Sequence, residues 1–192
     1  MAQELRRRTP EECMREVHAE EDALSHKGHL KIFLGYASGV GKTYRMLDEA
    51  RRRRERGQDI IIGAVQPKLP KEAEMLLPKL EVIPLKNADG GTAIDVEAIV
   101  RRQPTVCIID GLAYSNPPGL RNATRWQDVQ EVLDAGIKVI TSINIQYVAE
   151  LQRDVESITG KRVTETVPAH RAVLVDNRLQ RLARISHRDR LP

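Results

Sequence analysis

Aromatic residues are scarce in this 192-residue chain, which has one Phe, one Trp and four Tyr. None is interleaved with basic residues in the manner of a base-stacking platform, so direct nucleic-acid binding is not expected. Cysteine is scarcer still: Cys13 and Cys107 are too few for a disulfide framework or a four-cysteine zinc site, and suit a reducing cytoplasm. Long apolar runs are missing as well. A run such as Val106–Ile109 falls far short of the roughly 20 residues that cross a bilayer. Arg6, Arg7 and Arg8 have no apolar stretch behind them. Neither a membrane span nor a signal peptide is expected; the expected location is cytoplasmic, with a membrane reached only through a partner.

The chain is 41% hydrophobic and 30% charged, values that suit one soluble globular domain. The net charge of +4 is uneven. Residues 1–29 sum to −2 and residues 170–192 to +4, so the basic excess belongs largely to the C-terminal tail.

Thr9, Pro10 and Glu12 have the spacing of a capped helix start, and predict a helix to about Leu24. After a connector from Ser25 to His29, Leu30–Leu34 reads as the first core strand. A glycine-rich turn, a helix over 42–56 ended by Gly57, and a strand over 59–65 follow. Further along come a helical piece at 71–77, a strand at 81–85, a helix at 94–102 and a strand at 105–110. A Pro- and Asn-rich loop over 113–124 leads to a helix at 126–134, a strand at 137–141 and a helix at 146–157. Val163–Val167 and Ala172–Val175 are candidate edge strands, and Asn177–Ile185 a candidate last helix. Strands so apolar must be covered on both faces, and their alternation with helices implies right-handed crossovers. The expected fold is α/β, a P-loop NTPase-like three-layer sandwich with a mostly parallel sheet. The expected divisions are an N-terminal helical extension over 1–27, a P-loop domain over 28–176 and a basic tail over 177–192.

The most informative stretch is Gly35-Tyr36-Ala37-Ser38-Gly39-Val40-Gly41-Lys42-Thr43, between an apolar strand and an amphipathic helix. Small residues there let backbone N–H groups converge on phosphate oxygens at the positive end of a helix dipole. Gly35, Ser38, Gly39, Val40, Gly41, Lys42 and Thr43 are therefore candidate nucleotide-binding residues. Lys42 would reach the terminal phosphates and Thr43 would ligate Mg²⁺. One departure from the usual spacing stands out: Tyr36 takes the place of the first glycine, which falls one residue earlier at Gly35. Asp110, after Val106-Cys107-Ile108-Ile109, is the candidate second metal ligand. Gly111 follows it, where hydrolysing P-loop proteins often carry an acid that activates water.

Several segments together resemble one family. They are Gly28–Gly35, the loop Gly39–Thr43, Leu80-Glu81-Val82-Ile83-Pro84, Asn116-Pro117-Pro118-Gly119 and Arg125-Trp126-Gln127-Asp128-Val129. Further matches are Ala135-Gly136-Ile137, Asn144-Ile145-Gln146, Ile158-Thr159-Gly160 and Glu165-Thr166-Val167-Pro168. In order and at compatible spacing over about 28–176, they are similar to the N-terminal domain of KdpD, the osmosensitive potassium-channel sensor histidine kinases. The resemblance implies a cytoplasmic ATP-binding regulatory domain in two-component potassium signalling, working with other signalling domains or a histidine kinase. The family's universal-stress-like domain, membrane helices and kinase core have no counterpart in this sequence. None of His18, His26, His29, His170 or His187 lies in a phospho-acceptor box. The divergence after Asp176 favours a natural short homologue over a fragment.

The departures from the family pattern fall where chemistry would be. The family has an acid at the position of Gly111, histidines at those of Tyr114 and Tyr147, and a Glu-Thr-His-Gly-Arg segment where this chain has Gln66–Pro70. Loss of carboxylates at Gln66 and Gly111 removes candidate bases, so nucleotide binding with weak hydrolysis is expected. Arg121 and Arg125 are candidate phosphate contacts, with loop solvation as the alternative, and Asn144 and Gln146 are candidate sensor residues, with helix capping by Asn144 as the alternative. The run Arg51–Arg54 with Arg56 reads as a solvated helix end, with a partner or anionic-lipid contact as the alternative. Two other functions stay open: a small phosphotransferase or ATPase with Asp95, Asp128 or Glu131 as base, and a nucleotide-free interaction module with Tyr36 filling the phosphate space. A homo-oligomer is also compatible with the sequence.

Overall fold

The structure, a computed structural model, describes residues 27–160 and 163–168. The helix expected to start near Thr9, the strand Ala172–Val175, the helix Asn177–Ile185 and the basic tail lie outside the described residues. Five parallel strands form the main sheet: β1 (Leu30–Gly35), β2 (Ile60–Ala64), β3 (Glu81–Val82), β6 (Val106–Ile109) and β7 (Lys138–Asn144). Their order is β1-β7-β6-β2-β3. Two short strands, β4 (Lys86–Ala88) and β5 (Gly91–Ala93), pair antiparallel as a separate hairpin. The hairpin was not expected; its tip carries Asp89-Gly90, a turn dipeptide with Gly90 at φ 88.

Every residue of β2 and β6 is buried, as is β7 after Lys138, because helices cover both faces of the central strands. Helices α1 (Lys42–Glu55) and α2 (Lys71–Glu74) lie on one face. There Met46, Leu47 and Ala50 of α1 and Ala73 of α2 pack with Ile60, Ile62, Val106, Ile108 and Ile140. Helices α3 (Val96–Arg102) and α4 (Arg125–Asp134) lie on the other. Ile99, Val129, Val132 and Leu133 meet Ile61, Cys107, Ile109 and Val139 there. The result is the expected three-layer α/β sandwich.

Three local expectations change. The piece expected over 71–77 is the four-residue α2 followed by a 3₁₀ turn, Leu77–Lys79, because Pro78 supplies no N–H to continue an α-helix. The helix expected over 146–157 is two 3₁₀ turns, Ile145–Tyr147 and Ala149–Leu151, and only then α5 (Gln152–Thr159). Val148 is held extended between those turns by a parallel bridge to Val167, which interrupts the helix. The edge strand expected over 163–167 reduces to that bridge among the described residues.

The crossovers position the functional region. The chain leaves β1 at the sheet edge, crosses through α1 to β2, and returns through α3 to β6. Helix α4 then inserts β7 between β6 and β1. The glycine-rich loop after β1, the residue after β6 and the end of β7 consequently meet at the carboxyl ends of the strands, where open parallel sheets bind ligands.

Candidate functional site

Gly39 and Gly41 both lie in the left-handed region, at φ 81 and 83, which turns the loop sharply from β1 into α1. Gly41 is the N-cap of α1, so the first N–H groups of a 14-residue helix point toward the loop's concavity. A β-carbon at either glycine would meet nothing within 4 Å, so these positions need glycine for conformation rather than for space. Lys42 Nζ donates to the Ala37 carbonyl at 2.7 Å. Its stem passes over Gly35, where a β-carbon would lie 2.7 Å from Lys42 Cδ. Burial lowers the Lys42 pKa below the usual lysine range, and the nearby Asp110 carboxylate opposes that shift.

Asp110 is fully buried and holds the site together. Its Oδ2 accepts from Thr43 Oγ1 at 2.7 Å and its Oδ1 from Ser142 Oγ at 2.5 Å. Ser142 lies on β7, the strand between those carrying the loop and Asp110, so one carboxylate ties three elements. Asn144, at the end of the same strand, donates from Nδ2 to Ser38 Oγ at 3.3 Å, while its buried Oδ1 has no partner. Behind Asp110, Arg125 Nη1 donates to the Asp110 carbonyl at 2.9 Å, and its guanidinium stacks 4.6 Å from the centre of the Tyr114 ring. Burial lowers the Arg125 pKa, countered by Tyr114, Asp128 and Asp110.

These groups border a pocket of about 280 Å³, near the lower end of the range for small-molecule sites. Ser38, Gly39, Gly41, Lys42, Thr43 and Asn144 line it. Gly35, Val40, Asp110, Arg121, Arg125 and Gln146 do not: Asp110 and Arg125 stand behind its wall, and Gly35 lies beneath Lys42. Arg121 is on the surface, its side chain 85% exposed and 3.5 Å from Glu131. Tyr36 is 78% exposed and does not line the pocket, so it does not fill the phosphate space as one expectation held. Asp128, an expected alternative base, lies outside the pocket, accepting from Asn116 at 2.7 Å and Asn122 at 2.9 Å. Asp95 caps α3 by accepting from the Ala98 N–H at 2.9 Å, and Glu131 accepts from Asn122 at 2.8 Å. Lining residues that went unremarked as site candidates include Tyr44, Ser142 and Glu165. Ser142 had a signal: Thr141-Ser142 is a polar pair inside an apolar strand.

The arginine run on α1 is largely paired within its own helix. Arg51 binds Asp48 at 2.8 Å and Glu55 at 2.7 Å, Arg52 binds Asp48 at 3.2 Å, and Arg53 binds Glu49 at 2.6 Å. That is the i,i+3 and i,i+4 pattern of a solvated helix surface.

The donor set fits a polyphosphate with a divalent cation. The left-handed glycines, the helix N-terminus and Lys42 offer positive potential to an anion. Thr43 and Asp110 bring a hydroxyl and a carboxylate oxygen together, the sparse protein ligation that Mg²⁺ accepts when phosphates and water complete its shell. Asn144 Oδ1 is a further acceptor without a partner, buried at the end of β7.

Sheet order, loop and acid together define an α/β domain of P-loop-like architecture. Comparison with known proteins narrows the class: residues 26–184 match the family described as KdpD, osmosensitive K+ channel His kinase sensor domain, and the chain belongs to that family. It is 46% identical over 152 residues to a sensor protein KdpD of Mycobacterium tuberculosis (strain CDC 1551 / Oshkosh), covering 77% of this chain and 18% of that one. Identity to the sensor protein KdpD of Escherichia coli (strain K12) is 44% over 167 residues, 82% of this chain and 19% of the relative. A putative sensor protein KdpD of Synechocystis sp. is 39% identical over 146 residues, 74% of this chain and 40% of its own length. The chain thus spans less than a fifth of the length of the first two relatives. Among the described residues, no helix is long and apolar enough to cross a membrane.

Proposed function

We propose that this chain binds ATP with Mg²⁺ and acts as a regulatory domain in potassium or osmotic signalling of the KdpD type, reporting nucleotide occupancy to other signalling domains or a histidine kinase. The observation that carries the reading is the Thr43–Asp110 hydrogen bond beside two left-handed glycines, because it pairs a hydroxyl that lines the pocket with a carboxylate just behind its wall. Gly39, Gly41 and the first N–H groups of α1 would hold phosphate oxygens, with Ser38 and Val40 in the same loop and Gly35 making room for Lys42. Lys42 would exchange the Ala37 carbonyl for a terminal phosphate. Thr43 and Asp110 would hold the metal, which when bound would neutralise phosphate charge.

Asn144 joins Ser38 of the loop to the segment 145–151, so a ligand-driven shift of Ser38 can pass to the C-terminal part of the domain. Slow turnover belongs to the same reading. Asp110 already accepts two hydroxyl donors, and Glu165 is the one carboxylate lining the pocket among the described residues.

Calorimetric titration of the protein with MgATP tests the proposal. Saturable binding should fall at least tenfold, about 1.4 kcal/mol, in Lys42→Ala. Equal heats from wild type and variant would sink it.

A further inference from the structure

Phosphoryl transfer to water requires space for that water and a group to receive its proton. In this pocket the space beside Asp110 is occupied. The next residue, Gly111, lies at φ 78, and a β-carbon there would sit 2.2 Å from Cε2 and 2.6 Å from Cδ2 of Tyr114. The Tyr114 ring therefore fills the volume that a side chain following Asp110 would enter.

The ring is held in place. Arg125 stacks over it at 4.6 Å, and the Arg125 N–H donates to the Tyr114 carbonyl at 2.9 Å. Arg125 is itself anchored to the Asp110 carbonyl at 2.9 Å. A buried guanidinium whose Nε lacks a partner is costly to maintain, and here it clamps an aromatic ring against the backbone of Asp110-Gly111. The edge of the ring that remains exposed lines the same pocket as Lys42 and Thr43. Burial pushes the phenol up, with Arg125 opposing and Asp110, Tyr147 and Glu165 adding to the shift, so Tyr114 is no base at neutral pH. Glu165 is exposed, and its Oε1 faces the Ser115 N–H at 3.4 Å.

We propose that Tyr114 suppresses turnover at the nucleotide site: clamped between Gly111 and Arg125, its ring excludes water from the space beside Asp110, so that a nucleoside triphosphate is retained rather than hydrolysed. This rests on the nucleotide-binding reading above. Removing the ring opens the space, and a carboxylate in its place also supplies a base. In Tyr114→Glu the water oxygen bonds to the terminal phosphorus as the bond from phosphorus to the bridging oxygen breaks. The water proton passes to the carboxylate, and the nucleoside diphosphate leaves with the electron pair.

Two measurements on the purified chain test this. In the first, MgATP binding and phosphate release are followed on the same samples. Release per bound nucleotide should rise in Tyr114→Ala and by about 100-fold in Tyr114→Glu, and the conservative Tyr114→Phe should restore the wild-type rate. Retained binding with unchanged release in both Ala and Glu variants overturns the role of Tyr114 alone. Absent binding in the wild type overturns the nucleotide reading and this proposal with it. The second measurement needs no nucleotide. Gly111→Ala should lower the thermal midpoint less in a Tyr114→Ala background than in the wild type, because only the backbone strain at φ 78 then remains. Equal losses in the two backgrounds would show that the ring does not occupy that volume. If Tyr114→Ala does not fold, Tyr114→Leu takes its place in both experiments with the same expected directions.

Discussion

Both oxygens of the Asp110 carboxylate accept from hydroxyls in a fully buried setting, so the energetics of the site depend on neighbours that the carboxylate's own strand does not reveal. Ser142→Ala deletes the donor to Oδ1 and leaves a buried charge short of a partner. The expected cost is about 1–3 kcal/mol, read as a lower midpoint in chemical denaturation. A stability equal to wild type would show that the Ser142 contact carries no weight. At this scale the sequence was partly legible. Gly39–Thr43 and Asp110 stand out because each follows an apolar strand. The pairing of Ser142 with Asp110 does not, because it depends on β7 lying beside β6, and the Gly111–Tyr114 contact does not, because it depends on how the loop turns at Gly111. A linear pattern of strands carries no spatial order. Arg125 illustrates the same limit: read as a loop arginine able to approach phosphate, it lies behind Asp110, stacked on Tyr114.

Among the elements, α4 bears most directly on the pocket, since its first residue is Arg125 and its start fixes the loop over 115–124. Gln127 Oε1 accepts from the Thr124 N–H at 3.0 Å and from its hydroxyl at 2.9 Å. Gln127→Ala should therefore cost roughly 1 kcal/mol, measured by denaturation, with weaker ordering of that loop. The loop is also held by Asp128, which accepts from Asn116 and Asn122 and is faced by Glu131 and Arg125. Burial raises the Asp128 pKa, opposed by the two amides; Glu131 adds to the rise and Arg125 counters it. A carboxyl raised in the folded state contributes stability below its unfolded pKa of about 3.9, and loses that contribution as pH climbs through the folded value. Asp128→Asn should flatten the loss of stability as the pH rises above about 4, relative to wild type. A steeper loss in the variant would reverse the sign of this account. The long strands and α1 were legible because apolar runs and Gly57 punctuate them. The split of 145–159 was not, because it follows from the bridge between Val148 and Val167, a contact distant in sequence.

For the whole molecule, the alternation of strands and helices was enough to indicate an α/β sandwich, while the insertion of β7 was visible only in three dimensions. That insertion gives the pocket two polar residues from β7, Ser142 and Asn144, and sets Asp110 across from Thr43. Membership of the KdpD family agrees with the family resemblance in the sequence. Gly111, Tyr114 and Tyr147 form a wall of the same pocket that Lys42 and Thr43 line. In the proposed role the domain holds ATP without readily consuming it. The most direct test is a single-turnover incubation of excess protein with labelled ATP and Mg²⁺, in which bound ATP and ADP are separated and counted over time. Label should be retained on the protein and remain largely ATP. Rapid conversion to ADP, or no retention of label at all, would contradict it.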